Sequence, residues 1–183
     1  NDNDEWVDLD NISPYLIQAT LSTEDKYFYQ HLGFDYFRII KAAIKNLQSR
    51  SLREGASTIT QQYARNLFLN YDKTWSRKID EAILAAELET HYSKKEILEG
   101  YLNTINYGGV YGIENASWYY FGHSSKTLSL AESSMLAGIP QSPSNYSPII
   151  NENKAKKRQK IVLLSMYNRK IIQKEEMDNA INY

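Results

Sequence analysis

The sequence predicts an all-α fold, on three observations. Apolar residues recur at helical spacing in segment after segment, helix-start signals precede several of them, and no stretch alternates apolar and polar residues as a half-buried strand does. The chain has 183 residues, 42% hydrophobic and 23% charged, enough to bury a core and unlike a disordered chain. No internal repeat, low-complexity stretch or long linker divides it, so a single domain over residues 1–183 is expected.

Taken in order, the first informative segment is TEDKYFYQHLG, residues 23–33, with Glu24 beside Asp25 and with Phe28, His31 and Gly33 behind them. Local rules admit both a helix start on a solvated surface and a carboxylate held in a cleft for acid–base work. FDYFRIIKAAIKNLQSR follows, with Phe37, Ile40, Ile44 and Leu47 on one stripe and Arg38, Lys41 and Lys45 on a second. That basic amphipathic pattern suits an ordinary surface helix or a helix lying on an anionic membrane. In REGASTITQQYARN, Gly55 precedes Ser57 and Thr58 where a helix starts, and Gln61, Gln62 and Arg65 fall in the next two turns. Free N–H groups and hydroxyls at a helix start suit a phosphate; plain N-capping by Ser57 is the simpler reading.

TWSRKIDEAILAAELETHY reads as a long helix, with Trp75, Ile79, Ile83 and Ala86 at helical spacing. Arg77 and Glu81 stand at i and i+4 with Lys78 alongside, which is most often a surface ion pair. SKKEILEGYLNTI opens with a capping box, Ser93 and Glu96, before Ile97, Leu98, Tyr101 and Leu102 on one face. SLAESSMLAGIP repeats the device with Ser129 and Glu132 and stops at Gly138 and Pro140. RQKIVLLSMYNRK and QKEEMDNAI supply two more helices, and loops are expected at 49–56, 103–112 and 139–152.

Composition excludes several function classes. A net charge of −1 makes the molecule no general polyanion binder, so nucleic acid is not an expected partner. The basic run Lys154, Lys156, Lys157, Arg158 and Lys160 reads as a solvated helix face or a phosphate-neutralising one. With no cysteine there is no disulfide framework and no thiolate metal site, and His31, His91 and His123 lie at no metal-ligand spacing. No apolar run reaches the roughly 18–20 residues needed to span a bilayer. The start, NDNDEWVDLDN, is acidic and lacks Met, as expected of an excised fragment whose anchor lies elsewhere.

The order and spacing of these segments resemble the peptidoglycan glycosyltransferase family, found in class A penicillin-binding proteins and in monofunctional enzymes. EDKYFYQHLG is similar to its first motif, GASTITQQ to its second, RKIDE to its third, KKEILEGYLN to its fourth and RQKIVL to its fifth. YGIENASWYYFG and LSLAESSMLAGIPQSPSNYSP also resemble it, so the likeness runs from about residue 13 to 170 in collinear order. Two departures stand out: Ala56 occupies a position where a second Gly is common, and Gln159 one where a second Arg is usual.

The resemblance implies a lysozyme-like helical domain with a smaller membrane-facing subregion at about 34–56. It also implies an inverting enzyme that polymerises lipid II at the extracytoplasmic face of the bacterial plasma membrane. The implied base is Glu24, with Asp25 beside it raising its pKa, and Glu81 is the second acidic residue. Asp25, Ser57, Thr58, Gln61, Gln62, Arg65, Lys73, Arg77, Lys78, Asn103 and Arg158 are the implied substrate-binding residues, the cations meeting the departing pyrophosphate. No cofactor is implied for the chemistry itself; Glu81 is the residue on offer to a divalent cation, Mg²⁺ or Mn²⁺. Implied partners are lipid II, the growing glycan strand, the membrane surface, moenomycin-type phosphoglycolipid inhibitors and other cell-wall synthesis proteins. A lysozyme-like glycan-cleaving enzyme and a non-catalytic module binding lipid-linked glycan are the alternatives. His31, Phe28 and Gly33 are expected to shape the surroundings of Glu24 rather than to act chemically.

Overall fold

Pro14 opens the first helix where its missing N–H costs nothing, and the preceding Ser13 spends its hydroxyl on the Leu128 carbonyl, 2.8 Å away, rather than on a cap. This helix, α1, runs Pro14–Glu24, and in the computed structural model it is the first of nine helices among the described residues, which are 5–31, 33, 57–68 and 75–183. The others are α2 (Ile59–Phe68), α3 (Trp75–His91), α4 (Lys94–Thr104), α5 (Ile113–Phe121), α6 (Leu130–Ala137), α7 (Pro143–Tyr146), α8 (Glu152–Asn168) and α9 (Lys174–Ile181). No strand occurs among the described residues; an isolated bridge joins Asn106 to Tyr111. The all-α expectation holds.

The described chain forms two compact units. The first comprises residues 1–26 and 102–183, in which α1 packs on α6 and α8, α6 on α8, and α9 on α8. Ala19, Leu130, Ala131, Ala137, Val162, Leu163, Met166, Ile172 and Ala180 form its core cluster. Each large aliphatic side chain buried there contributes about 1.5–3 kcal/mol. Both expected capping boxes form: Ser129 with Glu132 at α6, and Ser93 with Glu96 at α4. A third, Gln173 with Glu176, opens α9.

The second unit, residues 27–101, is built on α2 packed against α3. Ile59, Ala64, Ala85, Leu88, Ile97, Leu98 and Tyr101 are buried. On α3, Ile79 and Ile83 of the apolar stripe are exposed, and the buried face carries Glu81, Ala85 and Leu88. Helical spacing identifies a face without saying which face is covered, and here a carboxylate took the inner one. The loop expected at 139–152 contains the single turn α7, where Pro143 sets the backbone for a helix start. The 34–56 subregion, with Phe37, Ile40, Ile44, Leu47, Arg38, Lys41 and Lys45, lies outside the described residues, as does Lys73.

Candidate active site

Two groups of motif residues take shape, one in each unit. In the first, Glu24 is the last residue of α1 and Asp25 its C-cap, with the Asp25 N–H donating to the Leu21 carbonyl at 3.0 Å. The acidic pair therefore ends a helix; it does not start one. Glu24 is 7% exposed and Asp25 1%. A carboxylate at a helix C-terminus meets the negative end of the dipole, and burial adds a desolvation cost, so this position needs positive charge. Arg158 on α8 supplies it, with Nη2 3.8 Å from Glu24 Oε1.

Arg158 is itself held. Its Nε donates to the Gly138 carbonyl at 3.3 Å, and its guanidinium lies over the Tyr146 ring at 5.5 Å from the centroid. Lys154, Lys157 and Lys160 point to solvent, so the basic run is a solvated face with one member turned in. Two further residues near Glu24 went unnoticed in the sequence. Tyr107 is buried, and its hydroxyl pKa is pushed well above the phenol range by burial first and by the Glu24 carboxylate second. Arg169 donates from Nη1 to Ser22 Oγ at 2.6 Å, near the end of α1. The signal for Arg169 was its spacing: it stands about three helical turns beyond Arg158, on the same face. Nothing local marked Tyr107, one of fifteen tyrosines.

The second group surrounds the start of α2. Thr58, not Ser57, is the N-cap: its hydroxyl accepts from the Gln61 N–H at 3.1 Å while Gln61 Oε1 accepts from the Thr58 N–H at 2.9 Å, a capping box. Gln62 is buried and accepts from the Tyr101 hydroxyl at 3.1 Å. Both glutamines thus hold the helix in place. Ser57 instead meets Lys78, whose Nζ donates to Ser57 Oγ at 2.6 Å and to Glu81 Oε2 at 3.0 Å. Glu81 is 1% exposed, and its Oε1 faces Arg65 Nη1 at 3.8 Å with no hydrogen bond among the described residues. The site groups Ser57, Lys78, Glu81 and Arg65. Arg77 sits partly buried on α3 but is not the ion-pair partner shown for Glu81.

Asn103 lies in the first unit and pairs with the Val7 backbone, donating to its carbonyl at 2.9 Å and accepting from its N–H at 2.8 Å. Gln159 points into the core, where Nε2 donates to the Ala131 carbonyl at 2.9 Å and to Ser134 Oγ at 3.3 Å. Its departure from the motif is thus a packing matter inside the first unit.

A family model described as transglycosylase matches residues 1–167. Penicillin-binding protein 2D of Bacillus subtilis is 53% identical over 177 residues, covering 96% of this chain and 26% of that protein. Penicillin-binding protein 1A of Neisseria lactamica is 43% identical, over 97% of this chain and 22% of its own. The crystal structure of penicillin-binding protein 1A from Haemophilus influenzae superposes with a TM-score of 0.58 at 26% identity, covering 96% of this chain and 17% of that one. The chain spans about a quarter of the length of these curated relatives.

Proposed function

This chain belongs to the transglycosylase family of class A penicillin-binding proteins, and we propose that it polymerises lipid II with Glu24 as the base. One observation carries the assignment: the acid of the first motif is buried, and Arg158 of the fifth motif is aimed at it. The opposed cation favours the carboxylate form, the form that can take a proton. Glu24 removes the proton from the attacking sugar hydroxyl as its oxygen bonds to the anomeric carbon. The bond from that carbon to the polyprenyl pyrophosphate breaks on the opposite face, inverting the centre, and the electron pair leaves with the phosphate. Ser57 and Lys78, with Arg65, meet the leaving diphosphate at the start of α2, where the positive end of the helix dipole adds to their charge.

Glu81 orients Lys78 and Arg65. It fits a resident divalent cation poorly, because two cationic side chains already face it, and no cluster of three or more metal-ligating side chains occurs among the described residues. No step is therefore assigned to a metal. No helix among the described residues is long and apolar enough to cross a membrane, while Leu67, Phe68, Ile79 and Ile83 are exposed in the second unit. Those apolar side chains favour contact with the extracytoplasmic membrane surface, where the polyprenyl tail of the substrate resides.

The test is polymerisation of purified lipid II in detergent by the wild type and by Glu24→Gln. Glycan strands from the wild type, and a loss of about 10²-fold or more in a folded variant, are expected. Normal strand synthesis by Glu24→Gln would remove the base assignment. Release of muropeptides from sacculi without lipid II turnover would show a cleaving enzyme instead, and binding without turnover a non-catalytic module.

A further inference from the structure

The second unit contains a polar ring that the proposed chemistry does not use. The Thr58 hydroxyl donates to the Gly33 carbonyl at 2.7 Å. The Gly33 N–H donates to His31 Nδ1 at 3.0 Å, which puts the imidazole proton on Nε2. Lys94 Nζ lies 3.4 Å from the same Nδ1 and donates to Glu89 Oε1 at 2.6 Å. The Thr60 hydroxyl donates to that same Glu89 oxygen at 2.7 Å. Thr58 and Thr60 both belong to the opening turn of α2, so the chain of contacts closes on itself.

We propose that Lys94 is a positioning residue for the transglycosylase reaction, closing a ring through His31, Gly33, Thr58, Thr60 and Glu89 that fixes the opening turn of α2. The proposal rests on the reading of that turn as the diphosphate cradle. The ammonium group has no slack: besides Glu89 and His31 it lies over the Phe28 ring, 4.6 Å from the centroid. Gly33 is equally constrained. Its φ is +97°, a conformation L side chains rarely adopt, and a Cβ there would come 3.1 Å from the Ala85 carbonyl oxygen and from Glu89 Cγ. Without Lys94, Glu89, with a side chain only 8% exposed, must turn toward water, and Thr60 loses its acceptor. The effect appears at Ser57 and the first N–H groups of α2, away from the substituted side chain.

A bond that merely staples α3 to α4 makes a different prediction, and two measurements separate the readings. In hydrogen exchange, Lys94→Met should speed amide exchange of residues 57–62 by about 10-fold or more while α8 is unchanged. In lipid II kinetics it should raise KM by about 10-fold with a smaller change in kcat, and Lys94→Arg should recover most of the loss. Thr58→Val should act alike, and the double variant should be within about 3-fold of the worse single variant, because both break one ring. Unchanged exchange at 57–62 in Lys94→Met, or losses that multiply in the double variant, would overturn the proposal. If Lys94→Met does not fold, Glu89→Gln breaks the same ion pair and is read by the same exchange measurement. A folded wild type that never turns over lipid II would sink the functional reading alone, since exchange still decides whether the ring exists.

Discussion

Gly138→Ala tests whether Arg158 is held against Glu24 by the packing described above. Gly138 has ordinary right-handed angles, φ −78° and ψ −17°, so alanine meets no backbone strain there. On backbone grounds alone the change should stabilise the protein by about 0.4–1 kcal/mol, through the unfolded chain. The added Cβ, however, falls 2.7 Å from Arg158 Cγ, in mid-side-chain where a small tip motion gives no relief. Overpacking of this kind costs about 1–3 kcal/mol. The side chain must swing, losing its bond to the Gly138 carbonyl and its stacking on Tyr146. If the guanidinium recedes about 1 Å from its 3.8 Å separation, the gross attraction to Glu24 drops by about 1 kcal/mol at an effective dielectric of about 20. The expected outcome is a lower denaturation midpoint together with about a fivefold fall in kcat/KM for lipid II polymerisation. Arg158→Met should be worse on both counts. A stabilised, fully active Gly138→Ala would refute the clamp. Lost stability with unchanged activity per folded molecule would refute the influence of Arg158 on the base.

Three further outcomes are expected. The pKa of His123 is raised above 6.5, chiefly by its hydrogen bond to Glu132, with Nε2 to Oε2 at 2.8 Å. Burial pushes the Glu132 pKa up, but hydrogen bonds from Ser129 and His123 outweigh it and leave the carboxyl below 4.5. The His123 contribution to stability is therefore complete below about pH 6.5 and is lost as pH rises through the folded pKa, while that of Glu132 is lost as pH falls below about 4.5. Melting curves across this range should show Glu132→Gln flattening the decline above pH 6.5. Gln159→Ala should cost about 1–3 kcal/mol in denaturant titrations, with wild-type activity per folded molecule, because its amide serves the core. Lys78→Met should lower both stability and polymerisation, since among the described residues it leaves Arg65 alone facing the buried Glu81; adding Glu81→Gln should restore melting temperature but not activity.

How much of this was legible in the sequence depends on whether the signal is local. Capping boxes are, and Ser93 with Glu96 and Ser129 with Glu132 form where the sequence places them. The box at Thr58 and Gln61 was not legible: the sequence offers Ser57 as the cap, and only the distances give that role to Thr58 and set Ser57 against Lys78. The outward turn of Ile79 and Ile83 was illegible for another reason. Periodicity measures the angle between residues on a helix, not what that helix lies against. Tyr107 and the ring through Lys94 and His31 are long-range contacts, for which spacing along the chain carries no information.

The fifth motif shows how such a long-range requirement can nonetheless leave a mark. A buried carboxylate that ends α1 opposes both the helix dipole and the low dielectric around it, so the fold must bring a cation from elsewhere. The cation comes from α8, which packs on α1 and whose remaining charged side chains over residues 154–160 face solvent or, for Lys156, the Ile181 carbonyl at 3.3 Å. A lysine in place of Arg158 could not satisfy the same geometry, because one ammonium cannot bond the Gly138 carbonyl, stack on Tyr146 and face Glu24 in the way a planar, multi-donor group does. In a run of five basic residues the only arginine is therefore the residue whose geometry matters, and the lysines around it keep that helix face in water.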